Sequence, residues 1–167
     1  MSDEPQLLFR YATKDDSAFF ANSILLEDDT RIKLAQYGYS DNDFDCDFWK
    51  VTLVASMSVR RGDDYVMERV GYISVEGGDI AGFNYIGGFY VLPEFRKQGV
   101  GRELLKRAQA FAFDNWNAVG VDLYTIENTV MEHLVKLEGF KLEGVDKHKY
   151  HSNGRFYCQK RWIKLYL

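Results

Sequence analysis

Proline and cysteine are scarce in this chain. With two prolines in 167 residues, polyproline and collagen-like structure are excluded. The two cysteines, Cys46 and Cys158, cannot form a disulfide framework or a metal-ligand cluster. No apolar run approaches the roughly 20 residues that a bilayer-spanning helix needs, and the opening Met-Ser-Asp-Glu-Pro does not read as a signal peptide. A large excess of one charge is missing too. The net charge of −4 argues against nucleic acid as the main partner. Internal repeats, low-complexity tracts and linkers rich in Pro, Gly or Ser are absent. What is present is 46% apolar, 16% aromatic and 28% charged residues, the composition of a folded soluble domain. The expectation is one domain over residues 1–167, cytoplasmic, with free thiols, no metal and no membrane segment.

Periodicity divides the chain into strands and helices. "LLFRYAT" (7–13) reads as a strand, and Asp15 or Asp16 starts a helix through "SAFFANSILLE". "TRIKLAQYG" (30–38) predicts a second helix, followed by an acidic loop, "SDNDFDCD" (40–47). Three strands follow, at 48–59, 68–78 and 83–93, with turn residues between them. Val100, Leu104, Ala108 and Phe111 then share a face with Leu105 and Ala112 beside it, which predicts an amphipathic helix over 100–115. A strand over 118–126 leads to Thr129 and Glu132, the spacing of a capping box, and Gly139 can end the short helix it opens. Two last strands join around "HSNG". The order β-α-α-β-β-β-α-β-α-β-β predicts an α+β fold, helices on a mostly antiparallel sheet.

The stretch "YVLPEFRKQGVGRELL" (90–105) carries the chemistry. A strand ends at a proline, and two glycines one residue apart open a helix. It lacks the third glycine of a dinucleotide fingerprint, and no P-loop run exists. What remains is R-x-x-G-x-G: Arg96, Gly99 and Gly101. The first N–H groups of a helix have no internal acceptor and carry the positive end of its dipole. Glycines let an anion reach that backbone. Arg96, Lys97 and Arg102 oppose the dipole unless an anion sits among them. The alternative is that the glycines only turn the chain.

"VLPEFRKQGVGRELL" resembles the signature of the GCN5-related N-acetyltransferase (GNAT) family, and "ENTVMEHLVKLEGFKLEG" is similar to its second motif. The resemblance extends over roughly residues 7–165 and implies the acyl-CoA N-acyltransferase fold, acetyl-CoA as cosubstrate and an amine as acceptor. By resemblance, Arg96, Lys97, Gln98, Gly99, Val100 and Gly101 bind the pyrophosphate mainly through backbone N–H groups, with help from Arg102. Val91 pairs its backbone with the pantetheine arm, and Asn128 hydrogen-bonds the same arm. For Asn128 the alternative is a turn or N-cap residue.

The catalytic groups depart from the family pattern. Amine acetylation needs a base for an ammonium of pKa ~10.4, a donor for the oxyanion and, less critically, an acid for a thiolate leaving group of pKa ~8.5. A backbone N–H near Val91 suits the oxyanion. Many members place a Tyr before the Gly-Phe pair to protonate the sulfur, but Val135 stands there and His133 projects elsewhere. Members also often carry a Glu on the strand before the loop, whereas "FNYIGGFY" has no carboxylate. Glu76 and Tyr85 are therefore the catalytic candidates, their alternatives being a surface carboxylate and a core aromatic. A cysteine nucleophile at Cys46 or Cys158 is disfavoured.

The acidic loop lacks the glycine and glutamate of a calcium site. It is either a solvated loop or, through Asp43 and Asp45, an attractor for a cationic amine. The acceptor stays open among protein N-termini, lysine, aminoglycosides, polyamines and amino acids, and a homodimer is compatible with the C-terminal strands. Two rival functions remain: a CoA-binding module of the same fold with weak or no catalysis, and an adaptor binding nucleic acid through "KHKYHSNGRFYCQKRW".

Overall fold

Alternating apolar residues and tight turns draw seven segments of the chain into one sheet. The computed structural model describes residues 6–25, 50–77 and 82–166. The helix expected at 30–38 and the acidic loop with Asp43, Asp45 and Cys46 lie outside the described residues. The strands are β1 (Leu7–Tyr11), β2 (Lys50–Arg61), β3 (Asp64–Glu76), β4 (Phe83–Val91), β5 (Gly120–Ile126), β6 (Lys141–Ser152) and β7 (Arg155–Leu165). The described helices are α1 (Ser17–Leu25), α2 (Val100–Trp116) and α3 (Val130–Leu137). The seven strands run in the order β1-β2-β3-β4-β5-β7-β6. β4 and β5 form the parallel pair; the other pairs are antiparallel. The α+β expectation holds, and β2 and β3 extend beyond their expected ends as a long hairpin closed at Gly62.

Neighbouring side chains on β3 point to opposite faces and seat a helix on each. Tyr72 packs edge-on against Phe20 of α1, ring centroids 4.7 Å apart, and its hydroxyl lies 3.3 Å from Ser23. On the other face, a Cβ added to Gly71 would lie 3.2 Å from Leu104 of α2. Val100, Leu104, Leu105, Ala108 and Ala112 of α2 are buried, as the helical spacing required. Phe111 of that stripe is half-buried, packed against the margin of the core and on Trp116.

Both ends of α3 follow local rules. Thr129 is its N-cap and accepts the Glu132 N–H at 3.4 Å. At the other end Phe140 N–H bonds Val135 O and Gly139 N–H bonds Lys136 O, with Gly139 at φ 81°. This pair of bonds is a Schellman motif. The entry to α1 differs from expectation. Asp16 does not open the helix from solvent: it is fully buried in a preceding 3-10 turn, where Arg10 and Arg69 hold its carboxylate at 2.7 and 2.6 Å.

Candidate active site

The site begins where β4 parts from β5. Their pairing runs from Phe83↔Gly120 to Ile86↔Leu123 and stops, while β5 continues on β7 as far as Ile126. At the same level β4 is irregular: Ser74 pairs with Gly87 but Tyr72 with Tyr90, so β4 holds one extra residue there. Gly88 sits in it at φ 51°. A bulge bends its strand and raises the local twist, which turns the second half of β4 away from β5. The result is a gap between two strands of one sheet.

Val91 faces that gap with its backbone. Leu92 N–H bonds Val70 O at 2.9 Å, so the neighbouring pair Gly71↔Val91 is a non-hydrogen-bonded pair. The N–H and C=O of Val91 therefore point away from β3, toward β5. The carbonyl accepts from Arg96 Nε at 2.9 Å. The same guanidinium lies 5.5 Å from the ring centre of Tyr90, which stacks on Tyr72.

The glycine loop has the backbone of an anion cradle. Lys97 and Gly99 are left-handed, at φ 62° and 83°. Alternation of this kind turns successive N–H groups toward one point. The first helical bond runs from Glu103 N–H to Gly99 O at 3.0 Å. The N–H groups of Val100, Gly101 and Arg102 precede it, and no described backbone acceptor takes them. The two glycines serve different ends. Gly99 has open space around it and is needed for its φ, whereas a Cβ on Gly101 would stand 3.0 Å from Phe89 Cζ. Side-chain charge contributes less than the sequence implied: Arg96 folds back onto β4, and Arg102 pairs with Glu138, the C-cap of α3, at 2.5 Å. Gln98 hydrogen-bonds Glu94 O, and Lys97 is exposed.

The helix α3 closes the other side of the gap. Asn128, just beyond β5, is left-handed at φ 59° and exposed, so Thr129 and not Asn128 caps the helix. Val135 is fully buried, and α3 presents no ionisable group at that position. His133 is exposed.

Tyr85 and Glu76 come together on the face that carries α1. They are register partners across β3–β4, and Asp122 is the partner of Tyr85 on β5. Tyr124 packs on Tyr85 at 6.0 Å between ring centres. Burial first, then the nearby carboxylates of Glu76 and Asp122, pushes the Tyr85 phenol up to about 12. Tyr85 is thus a neutral hydrogen-bond donor at physiological pH. Asp122 accepts from Arg161 at 2.8 and 3.0 Å. Sequence reasoning missed Asp122 and Tyr124, because the parallel register that brings them to Tyr85 leaves no local signal. Cys158 is half-buried on β7 and its N–H bonds the Glu127 carboxylate. Among the described residues no His, Cys, Asp and Glu group could hold a metal, and no helix is long and apolar enough to cross a membrane.

The acetyltransferase (GNAT) family matches residues 21–140. The chain belongs to the GNAT acetyltransferase family. It is by that membership an N-acetyltransferase. No curated protein matches the chain by sequence. Solved structures share the fold. A chimera of the spermidine N-acetyltransferase SpeG from Vibrio cholerae with hSSAT is 22% identical at a TM-score of 0.75, covering 96% of this chain and 95% of that one. NAA60 of Arabidopsis thaliana, solved with a bisubstrate analogue, is 17% identical at a TM-score of 0.75, over 96% and 98%. A GNAT-family acetyltransferase from Streptococcus pneumoniae is 20% identical at a TM-score of 0.73, over 96% and 99%.

Proposed function

We propose that this GNAT protein, as a single cytoplasmic domain, moves an acetyl group from acetyl-CoA to a primary amine by direct attack in a ternary complex. The carrying observation is the N–H cradle of Val100, Gly101 and Arg102 at the head of α2, beside the β4–β5 gap. The cradle suits a pyrophosphate, which the helix dipole favours at that end. The Val91 N–H, directed into the gap, suits a pantetheine amide or a developing oxyanion. Asn128 supplies a second polar group to the same arm.

Acceptor chemistry belongs to the opposite face. Glu76 is the candidate base, acting directly or through water on the ammonium. Tyr85, held neutral, orients the amine or that water. A cationic amine fits the carboxylates Glu76 and Asp122 beside the ring of Tyr85, and one structural neighbour carries spermidine in its name. The homodimer reading draws support from the exposed Leu142, Val145 and Phe156 of the β6–β7 hairpin.

One observation favours a second reading, a CoA-binding module with weak catalysis. Position 135 of α3 is a buried valine, so the thiolate has no acid there to protonate it as it leaves. Such a loss slows transfer by ~10²–10⁴-fold without forbidding it. Calorimetry with acetyl-CoA, desulfo-CoA and ATP, followed by acetyl transfer to a panel of amines, tests both. Binding of acetyl-CoA that ATP does not share, with turnover of at least one amine, is the expected result. Binding without turnover selects the second reading, and no binding removes both.

A further inference from the structure

Glu132 is a buried carboxylate that the proposed reaction does not use. Its side chain is 8% exposed, on the first turn of α3. It gathers three donors: the N–H of Asn128 at 2.8 Å, Lys136 Nζ at 2.9 Å and Lys160 Nζ at 2.7 Å. A capping box would send this carboxylate to the N-cap N–H. Here it reaches one residue further, past Thr129 to Asn128. That residue holds a left-handed backbone, which Asn tolerates better than most residues but still at a cost. The bond from Glu132 offsets that cost and ties the turn to β7 through Lys160.

We propose that Glu132 is a positioning residue for the cosubstrate: through the Asn128 N–H it holds the Asn128 side chain toward the β4–β5 gap, with Lys160 and Lys136 fixing the carboxylate. This rests on the reading of Asn128 as a ligand of the pantetheine arm. The placement supports it. Asn128 lies two residues past Ile126, where β5 ends after parting from β4. Lys160 is the register partner of Thr125 on β5, so the ammonium rises from β7, the strand behind the β5 edge of the gap. Three donors leave the carboxylate little freedom, and a fixed acceptor fixes the residue that donates to it.

A double-mutant cycle on acetyl-CoA affinity tests this by calorimetry, with thermal unfolding in parallel. Asn128→Gly removes the side chain while tolerating the left-handed backbone. Glu132→Ala is expected to weaken acetyl-CoA binding about tenfold in the native background, and to add nothing in the Asn128→Gly background. The melting temperature should fall in both. Glu132→Gln, which keeps an acceptor for the Asn128 N–H, should retain affinity within about threefold. Should Glu132→Ala not fold, Lys160→Met makes the same comparison from the other end of the bond. An equal loss in both backgrounds, or none in the native one, overturns the proposal. If Asn128→Gly alone leaves affinity unchanged, the proposal falls while acetyl-CoA binding stands. If the native protein does not bind acetyl-CoA, the underlying reading falls with it.

Discussion

Arg96 and Val91 are joined across the turn that ends β4: the guanidinium Nε donates to the Val91 carbonyl at 2.9 Å. The arginine of the glycine loop thus braces the strand edge, and the backbone of the loop is left to meet an anion. Its stacking on Tyr90 and, through it, on Tyr72 connects the loop to the core under α1.

Replacing Arg96 by Ala should lower stability by about 1–2 kcal/mol, since a part-buried carbonyl loses a charged donor and Tyr90 loses its cation–π partner. Urea unfolding measures this. Arg96→Lys should recover less than half of the loss, because an ammonium lacks the planar Nε–H that serves the carbonyl and the ring together.

Gly99 and Gly101 should respond differently to alanine. At Gly99 the left-handed φ makes Ala cost about 1–2 kcal/mol, and the loop should relax away from its cradle. Acetyl-CoA affinity should drop at least tenfold. At Gly101, Ala meets the Phe89 ring but gains about 1 kcal/mol of helix propensity. Stability and affinity should both stay close to native. Calorimetry and melting of the two variants check the contrast.

Asp16 and Glu132 make the fold acid-sensitive. Burial alone would raise both carboxyls, but hydrogen bonds from Arg10, the Thr13 N–H and Arg69, with the charge of Arg10, hold Asp16 well below the carboxylate range. For Glu132, Lys160, Lys136 and the Asn128 N–H outweigh burial and bring it down to about 2. Both folded values lie below the unfolded ones of ~3.9 and ~4.3. Their contribution is therefore complete above about pH 5 and fades as pH falls through that range and below. Asp16→Asn should flatten the acid limb and cost about 2–3 kcal/mol at neutral pH, less than a fully buried pair because both arginines keep contact with water. Denaturant midpoints between pH 3 and 7 show whether the slope changes.

Glu76 and Tyr85 should separate in their kinetics. Glu76→Gln should lower kcat/KM by ~10²-fold or more if the carboxylate takes the proton. Tyr85→Phe should lower kcat/KM about tenfold and leave the shape of the pH profile unchanged from pH 6 to 10, since a phenol at about 12 does not titrate there. A new pH dependence in Tyr85→Phe would give the phenol a proton-transfer role instead.

The sequence by itself determined what short-range chemistry controls. Strand alternation, the Thr129 cap, the Gly139 stop, the Asn-Gly turn before β7 and the loop Arg96–Gly101 all follow from residues within a few positions of one another. Those signals were enough for the fold class and for the cradle. Tertiary structure decided the rest. The parting of β4 from β5 depends on a bulge set by pairing with β3. Tyr85 meets Glu76 and Asp122 only through the registers of two different strand pairs. Arg96 appears cationic and available in sequence, yet packing turns it onto Val91 and Tyr90. Glu132 reads as half of a cap until Lys160, 28 residues away, completes its ion pair. Side-chain charge and register are properties of neighbours in space, and a linear pattern carries them only where those neighbours are also close along the chain.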